Sequence, residues 1–336
     1  MKKTKEEKKE VNRLFLLLLL TFGTLILFSV SSYAWFSANR MVTIDSLDIK
    51  VATVGGIDIS ADALNWKAAL TTSELIDVKD TTYQTSINQI PLYLEPVSTG
   101  GLIDDNGLLK LYHGIATNDD INGNFLLTTT RSIEEFGYGV LSSGKFIAFD
   151  IFLRTTAPKN LYLTTDSKVT YNGEKTVGIE NAFRIAFLNE GNVTKDTNYL
   201  IAQALKGATK PYIWEPNYDT HTEGGVFNAL NTYGITTTME NSEKIDYDGV
   251  IDEITREDNI SLSGASEALN STKFKRVDVD YATKTNRDSY ERIFDIPSGI
   301  SKIRIYIWIE GQDVDCENEA SVGDAKLTLK LSTNPS

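Results

Sequence analysis

Cysteine is almost absent. The 336 residues contain one, Cys316, so no intramolecular disulfide can form. A chain of this length can bury a core that needs no covalent staples. The lone thiol is either buried or available to crosslink two subunits. Histidine is nearly as scarce. His113 and His221 lie over a hundred residues apart, and no His-Glu-x-x-His is present, which argues against a zincin-type protease. There is no Gly-x-Ser-x-Gly elbow, and no glycine loop ends in Lys-Ser or Lys-Thr to cradle a phosphate. The 46 acidic residues offer many carboxylate pairs of the kind a glycosidase uses, but sequence spacing does not tell which of them meet. The expectation is a protein without catalytic residues. Positive charge is also in deficit, with 33 basic residues against 46 acidic ones. That balance opposes binding to nucleic acid or to an anionic membrane surface. It favours a well-hydrated surface or the binding of cations.

What is present begins at the N-terminus. Residues 1–13 carry Lys2, Lys3, Lys5, Lys8, Lys9 and Arg13 against Glu6, Glu7 and Glu10. From Leu14 to Val30 no residue is charged, and Ser31, Ser32, Tyr33 and Ala34 follow. A basic head, an apolar middle and small residues at −3 and −1 (Ser32 and Ala34) are the parts of a secretory signal peptide, with cleavage between Ala34 and Trp35. The apolar run is nearly long enough to span a bilayer as a helix, so the alternative is a retained anchor. Either reading puts residues 35–336 outside the cytoplasm and confines membrane contact to the N-terminal segment. Removing residues 1–34 takes six basic and three acidic residues from the 33 and 46, leaving a net charge of −16. The C-terminal residues 330–336 carry no sorting motif and no apolar tail, so covalent attachment to a cell wall is not expected.

The stretch Tyr33-Ala34-Trp35-Phe36-Ser37, then Met41-Val42-Thr43-Ile44, then Leu47-Asp48-Ile49 resembles the start of the TasA/camelysin group. These are surface and biofilm-matrix proteins of Gram-positive bacteria, released by a dedicated signal peptidase. The likeness covers about forty residues closely, and this chain is longer than the group's typical members. It implies export, processing by a signal peptidase and a jelly-roll β-sandwich. It also raises assembly into filaments, with the segment Trp35, Phe36, Val42, Ile44, Leu47 and Ile49 donated to the next subunit's sheet. A member of the group has been described as a protease, but residues for that chemistry are not visible here.

The residues themselves read as β-structure. Val42 and Ile44 alternate in one phase and Leu47, Ile49 and Val51 in the other, which predicts a strand with a bulge or break between 44 and 47. Ile57 to Ser60 resumes it. A short helix is expected around Ser73–Val78, and Gly100 to Gly123 reads as loops. Phe146 to Leu153 is apolar on both faces and predicts a central strand. Leu161–Leu163 and Ala182–Leu188 are further strands. Near the end, Ile303, Ile305, Ile307 and Ile309 share one face, with Lys302, Arg304, Tyr306, Trp308 and Glu310 on the other. Ala325, Leu327, Leu329 and Leu331 alternate similarly, and the two runs predict an antiparallel pair. Strands at intervals without regular helices between them give an all-β, antiparallel, jelly-roll-like sandwich. Residues 190–290 are polar and read as a long insertion or small subdomain, with short helices at Tyr199–Leu205, Gly225–Leu230 and Ser263–Leu269.

Three acidic clusters could hold calcium, which takes six to eight hard oxygens. They are Asp119 to Asn124, Asp246 to Asp248 with Asp252 and Glu253, and Asp313, Asp315 and Glu317. None has the EF-hand spacing. The third is the best placed, because its loop leaves directly from a strand. Each could equally be a solvated turn, where Asp, Asn and Gly are expected anyway. Tyr306 and Trp308 are either an exposed glycan-binding face or aromatics packed beneath the insertion. Two functional expectations follow. One is a structural surface or matrix protein that propagates into fibres by strand donation. The other is a monomeric adhesin or glycan-binding module that uses residues 190–290.

Overall fold

The structure, a computed structural model, describes residues 42–51, 56–77, 87–91, 93–119, 124–134, 144–171, 178–195, 198–218, 220–226, 249–251, 257–262, 276–279, 282, 289–313, 315–316 and 324–335. The segment 1–34, its cleavage point at Ala34 and Trp35, and Phe36 lie outside them. So do Asp120 to Gly123, Asp246 to Asp248, Asp252, Glu253, Glu317 and the expected helix at Ser263–Leu269.

Two sheets form a sandwich. One holds β1 (Val42–Val51), β4 (Tyr93–Leu94), β8 (Lys159–Leu163), β9 (Lys168–Tyr171), β15 (Glu291–Ile296) and β17 (Asp324–Ser332), in the order β15-β8-β17-β1-β4 with β9 also on β17. The other holds β2 (Ile57–Ser60), β3 (Asn88–Gln89), β7 (Ile147–Thr155), β10 (Phe183–Val193), β11 (Tyr212–Trp214) and β16 (Gly299–Ile309), in the order β11-β10-β16-β7-β2 with β3 also on β7. Apolar residues at every second position make this possible. Ile303, Ile305, Ile307 and Ile309 of β16 meet Leu327, Leu329 and Leu331 of β17 in one buried cluster between the sheets, joined by Phe149, Ile151, Phe183, Ile185 and Phe187. Each such side chain taken from water is worth about 1.5–3 kcal/mol.

The all-β, antiparallel expectation holds. β16 and β17 do not pair, however. They lie in different sheets, β16 between β10 and β7, and β17 beside β1, β8 and β9. Alternation fixes which face is buried and leaves the partner open, so the two runs face each other across the core. The bulge expected in β1 is present as a register shift between Ile44 and Ser46. β7 lies between β16 and β2 as a central strand. The glycine- and asparagine-rich stretch expected as loops contains β5 (Leu111–Asp119), which pairs with β6 (Asn124–Ser132), and β13 (Asp258–Leu262) adds to β6. Threonines at 117 and 128–130 serve the strands there, and β-branched residues fit a pleated surface whatever their polarity.

Helix α1 (Thr72–Asp77) occupies the first expected helical stretch, and α2 (Tyr199–Ala204) the second. The segment 190–290 is divided in the structure. Its first part belongs to the sandwich, because β11 is an edge strand on β10 and Trp214 is fully buried. Further on, β12 (Gly249–Ile251) and β14 (Arg276–Asp278) form a separate two-stranded ladder.

The sheet containing β16 is covered on both faces. On the side away from the sandwich core, Phe146, Ala148, Leu188, Tyr306 and Trp308 pack under Val97, Leu109, Leu111 and Val279. Farther along, Phe152 and Ile300 pack with Ala202 of α2. Every residue of β16 is therefore buried, and the charged face of that strand is interior.

Candidate functional site

Buried charge on the outer side of β16 falls into two groups. The central one joins three neighbouring strands. Asp150 on β7 accepts hydrogen bonds from Arg304 Nε at 2.8 Å and Nη2 at 3.2 Å, and lies 3.3 Å from Lys302 Nζ. Lys302 also donates to the carbonyls of Gln203 and Leu205 at the end of α2. Glu190 on β10 stands 3.8 Å from Arg304 and accepts from the Ala208 amide. Burial would push Asp150 up, but Arg304 and Lys302 outweigh it and hold the carboxyl below its ordinary value. For Glu190 burial prevails and lifts it to about 7, despite the partial opposition of Arg304. Tyr306, next along β16, donates to Glu134. Ion pairs and hydrogen bonds thus link β7, β16 and β10 through this group.

The second group sits at the corner where β16 ends. Glu310 bridges to Val97, and its carboxylate accepts from Ser98 Oγ, Trp308 Nε1 and the Gln312 amide. Burial dominates and raises Glu310 to about 7. The chain then turns, with the Asp313 amide bonded to the Glu310 carbonyl and the Cys316 amide to the Asp313 carbonyl. Asp313 Oδ1 accepts from the Asp315 amide, which fixes both carboxylates in the turn. The 3₁₀ turn Ile179–Ala182 brings Asn181 and Arg184 alongside, and the segment after β11 brings Glu215, His221 and Thr222.

Arg184, 1% exposed in its side chain, pairs with Asp313 at 2.6 Å and with Glu215. Asp315 is fully buried and receives four groups. Its Oδ1 takes the Thr222 amide at 3.0 Å and the Thr222 hydroxyl at 2.7 Å, and its Oδ2 faces Asn181 Nδ2 at 2.9 Å and His221 Nδ1 at 2.7 Å. The other imidazole nitrogen, Nε2, lies 3.0 Å from the Tyr218 carbonyl. Burial would lower His221, but Asp315 and Asp313 prevail and raise it above the ordinary histidine value. The ligand atoms of His221, Asp313 and Asp315 all lie within 4.8 Å of one another. Gly225 and Gly178 wall the site. A Cβ at Gly225 would collide with Asp315 Oδ1, and one at Gly178 would come 3.3 Å from the same atom.

The sequence singled out Asp313 and Asp315, and the structure brings them together. Glu317 lies outside the described residues. His221 was not grouped with them, because it reaches the turn from more than ninety positions earlier in the chain. Tyr306 and Trp308 are both fully buried, so they form packing and not an exposed glycan platform. Cys316 is buried, which removes its thiol from crosslinking. Val42, Ile44, Leu47 and Ile49 lie on β1, where Ile44, Leu47 and Ile49 pair in register with Ala325, Leu327 and Leu329 of the same chain. Among the described residues, no helix is long and apolar enough to cross a membrane. Comparison of the chain with protein-family models, with curated proteins and with solved structures finds no match.

Proposed function

We propose that this chain is an exported structural protein of the cell surface or extracellular matrix, which assembles into fibres by exchange of its N-terminal strand once a signal peptidase has released it. The observation that carries the reading is the place of β1. It is the one parallel strand among the described ladder pairs of the sandwich sheets, running beside β17 over Thr43–Val51. On its other edge, among the described residues, only Val42 and Thr43 have ladder partners, in β4. A strand attached along one long edge, close to the end that cleavage after Ala34 would create, can leave and be replaced by its copy from a neighbour with the same hydrogen bonds remade. The vacated edge of β17 is a template for such an addition. Such a head-to-tail contact does not close on itself and so propagates. The likeness of residues 33–49 to the TasA/camelysin start supports the same reading, and with it the jelly-roll connectivity.

The test is negative-stain electron microscopy of the chain beginning at Trp35, beside one beginning at Ala52. Filaments from the longer chain and none from the shorter are expected. A synthetic peptide spanning 35–51 should bind the shorter chain and cap it. Monodisperse particles from the longer chain at all salt and calcium concentrations would overturn the reading and leave the monomeric binding module in its place.

A further inference from the structure

We propose that His221, Asp313 and Asp315, completed by Asn181, form a closed structural site for one divalent transition-metal ion of the zinc class. The first argument is hydrogen-bond bookkeeping at the imidazole. Nε2 faces the Tyr218 carbonyl at 3.0 Å, and a carbonyl only accepts, so Nε2 carries the proton. In the neutral ring Nδ1 then presents a lone pair, and it points at Asp315 Oδ2 2.7 Å away. Two acceptors at that distance require a cation between or beside them. A second proton on the ring is one solution and a metal ion is the other. An imidazole held through its far nitrogen by a backbone carbonyl, with the near one aimed at carboxylates, is the usual arrangement of a metal-binding histidine.

The second argument is charge. Asp313, Asp315 and Glu215 bring three negative charges into this buried corner, and Arg184 brings one positive charge. With His221 neutral these four named groups sum to two negative charges. A proton on His221 removes one of them, whereas a divalent ion removes both. The third observation is Asn181, 3% exposed. Its Nδ2 contacts Asp315, and its Oδ1 has no hydrogen-bond partner among the described residues. Turning the amide over presents that oxygen on the Asp315 side, where a cation would accept it.

The ligand set decides the class of ion. One imidazole nitrogen with three oxygens suits zinc or a neighbouring transition metal, whereas calcium needs six to eight oxygens and takes no nitrogen here. Bond lengths of about 2.0–2.2 Å in a tetrahedron set ligand atoms roughly 3.3 Å apart, so the His221 ring has to draw back from Asp315 by about half an ångström. The His221 side chain is 3% exposed and the two aspartates no more than 1%, so among the described residues the ligand atoms are withdrawn from solvent. The ion would clip together three segments distant in sequence, those carrying residues 181–184, 215–222 and 313–315. It would displace the Nδ1 proton, and so bind more tightly at pH 7.5 than at pH 5.5.

The test uses the full chain stripped with a chelator, with Zn²⁺ and Co²⁺ as probes. One equivalent of Zn²⁺ is expected at pH 7.5, with a rise in Tm of about 5 °C or more at a hundredfold excess over Kd. Co²⁺ should give the visible absorption of a four-coordinate nitrogen–oxygen site. His221→Asn should weaken binding about 100-fold or more, while His113→Asn binds as the unaltered chain. X-ray absorption of the zinc-loaded unaltered protein should report one nitrogen and three oxygens, a readout that stands even where a variant fails to fold. Absence of Zn²⁺ stabilisation in the unaltered chain at pH 7.5 would assign the corner to an imidazolium ion pair and overturn the proposal. So would undiminished binding in His221→Asn.

Discussion

Asp150 receives two hydrogen bonds from one guanidinium and faces an ammonium, and no part of it is exposed to solvent. Removing that carboxylate strands two cations in the interior. Asp150→Ala is therefore expected to cost about 3–5 kcal/mol, read from urea denaturation. Replacing Asp150, Lys302 and Arg304 together by Leu, Met and Met is expected to cost far less than the sum of the single changes, because no charge is left unpaired. These residues also show what the sequence hid. Alternation in β16 correctly separated the isoleucines from Lys302, Arg304, Tyr306, Trp308 and Glu310. The alternation did not tell whether the second face meets solvent or a second layer, and every one of those residues is buried. Their partners Asp150, Glu134 and Ser98 lie roughly 150 to 210 positions earlier, at distances that local spacing does not reach. Two large aromatics between the charges were the one available hint. In the same way Asp313 and Asp315 were legible from spacing, and His221 became their neighbour only through the fold.

At the scale of elements, β16 holds the molecule together. It pairs with β10 over Ile300–Ile309 on one side and with β7 over Gly299–Ile307 on the other, and it contributes to a core on each face. Ile305→Ala is expected to cost about 2–5 kcal/mol, while Leu200→Ala on the exposed side of α2 should stay within about 0.5 kcal/mol of the unaltered chain. Thermal unfolding of both variants checks the contrast. Strands built from long apolar alternations, such as β7, β10, β16 and β17, were readable before the structure. The β5–β6 ladder was not, because its threonines, asparagines and glycines carry turn signals as strongly as strand signals. Pairing was the least legible property, since a half-buried strand states its face and not its neighbour.

At the scale of the whole molecule, stability should fall as pH rises. Glu190 and Glu310 have native values of about 7 against an ordinary 4.5, so the native state binds more protons than the unfolded chain between those limits. Stability is therefore fullest near pH 4.5 and declines through pH 7, by up to roughly 3 kcal/mol for each group. In the metal-free chain the raised His221 acts in the same direction, its contribution being present below pH 6.5 and lost above its native value. Asp150 acts oppositely, but only below pH 3.8. Denaturation midpoints from pH 4.5 to 8.5 should show this slope, and Glu310→Gln should flatten it by about one proton. The direction of β1 has a mechanical consequence as well. Because β1 runs parallel to β17, Val42 and Ser332 lie at opposite ends of the paired ribbon. Tension applied between the upstream side of β1 and the downstream side of β17 would slide the two strands lengthwise past each other. Their hydrogen bonds would then bear the load together and not open one after another, which makes this seam a strong point in a subunit held at both ends.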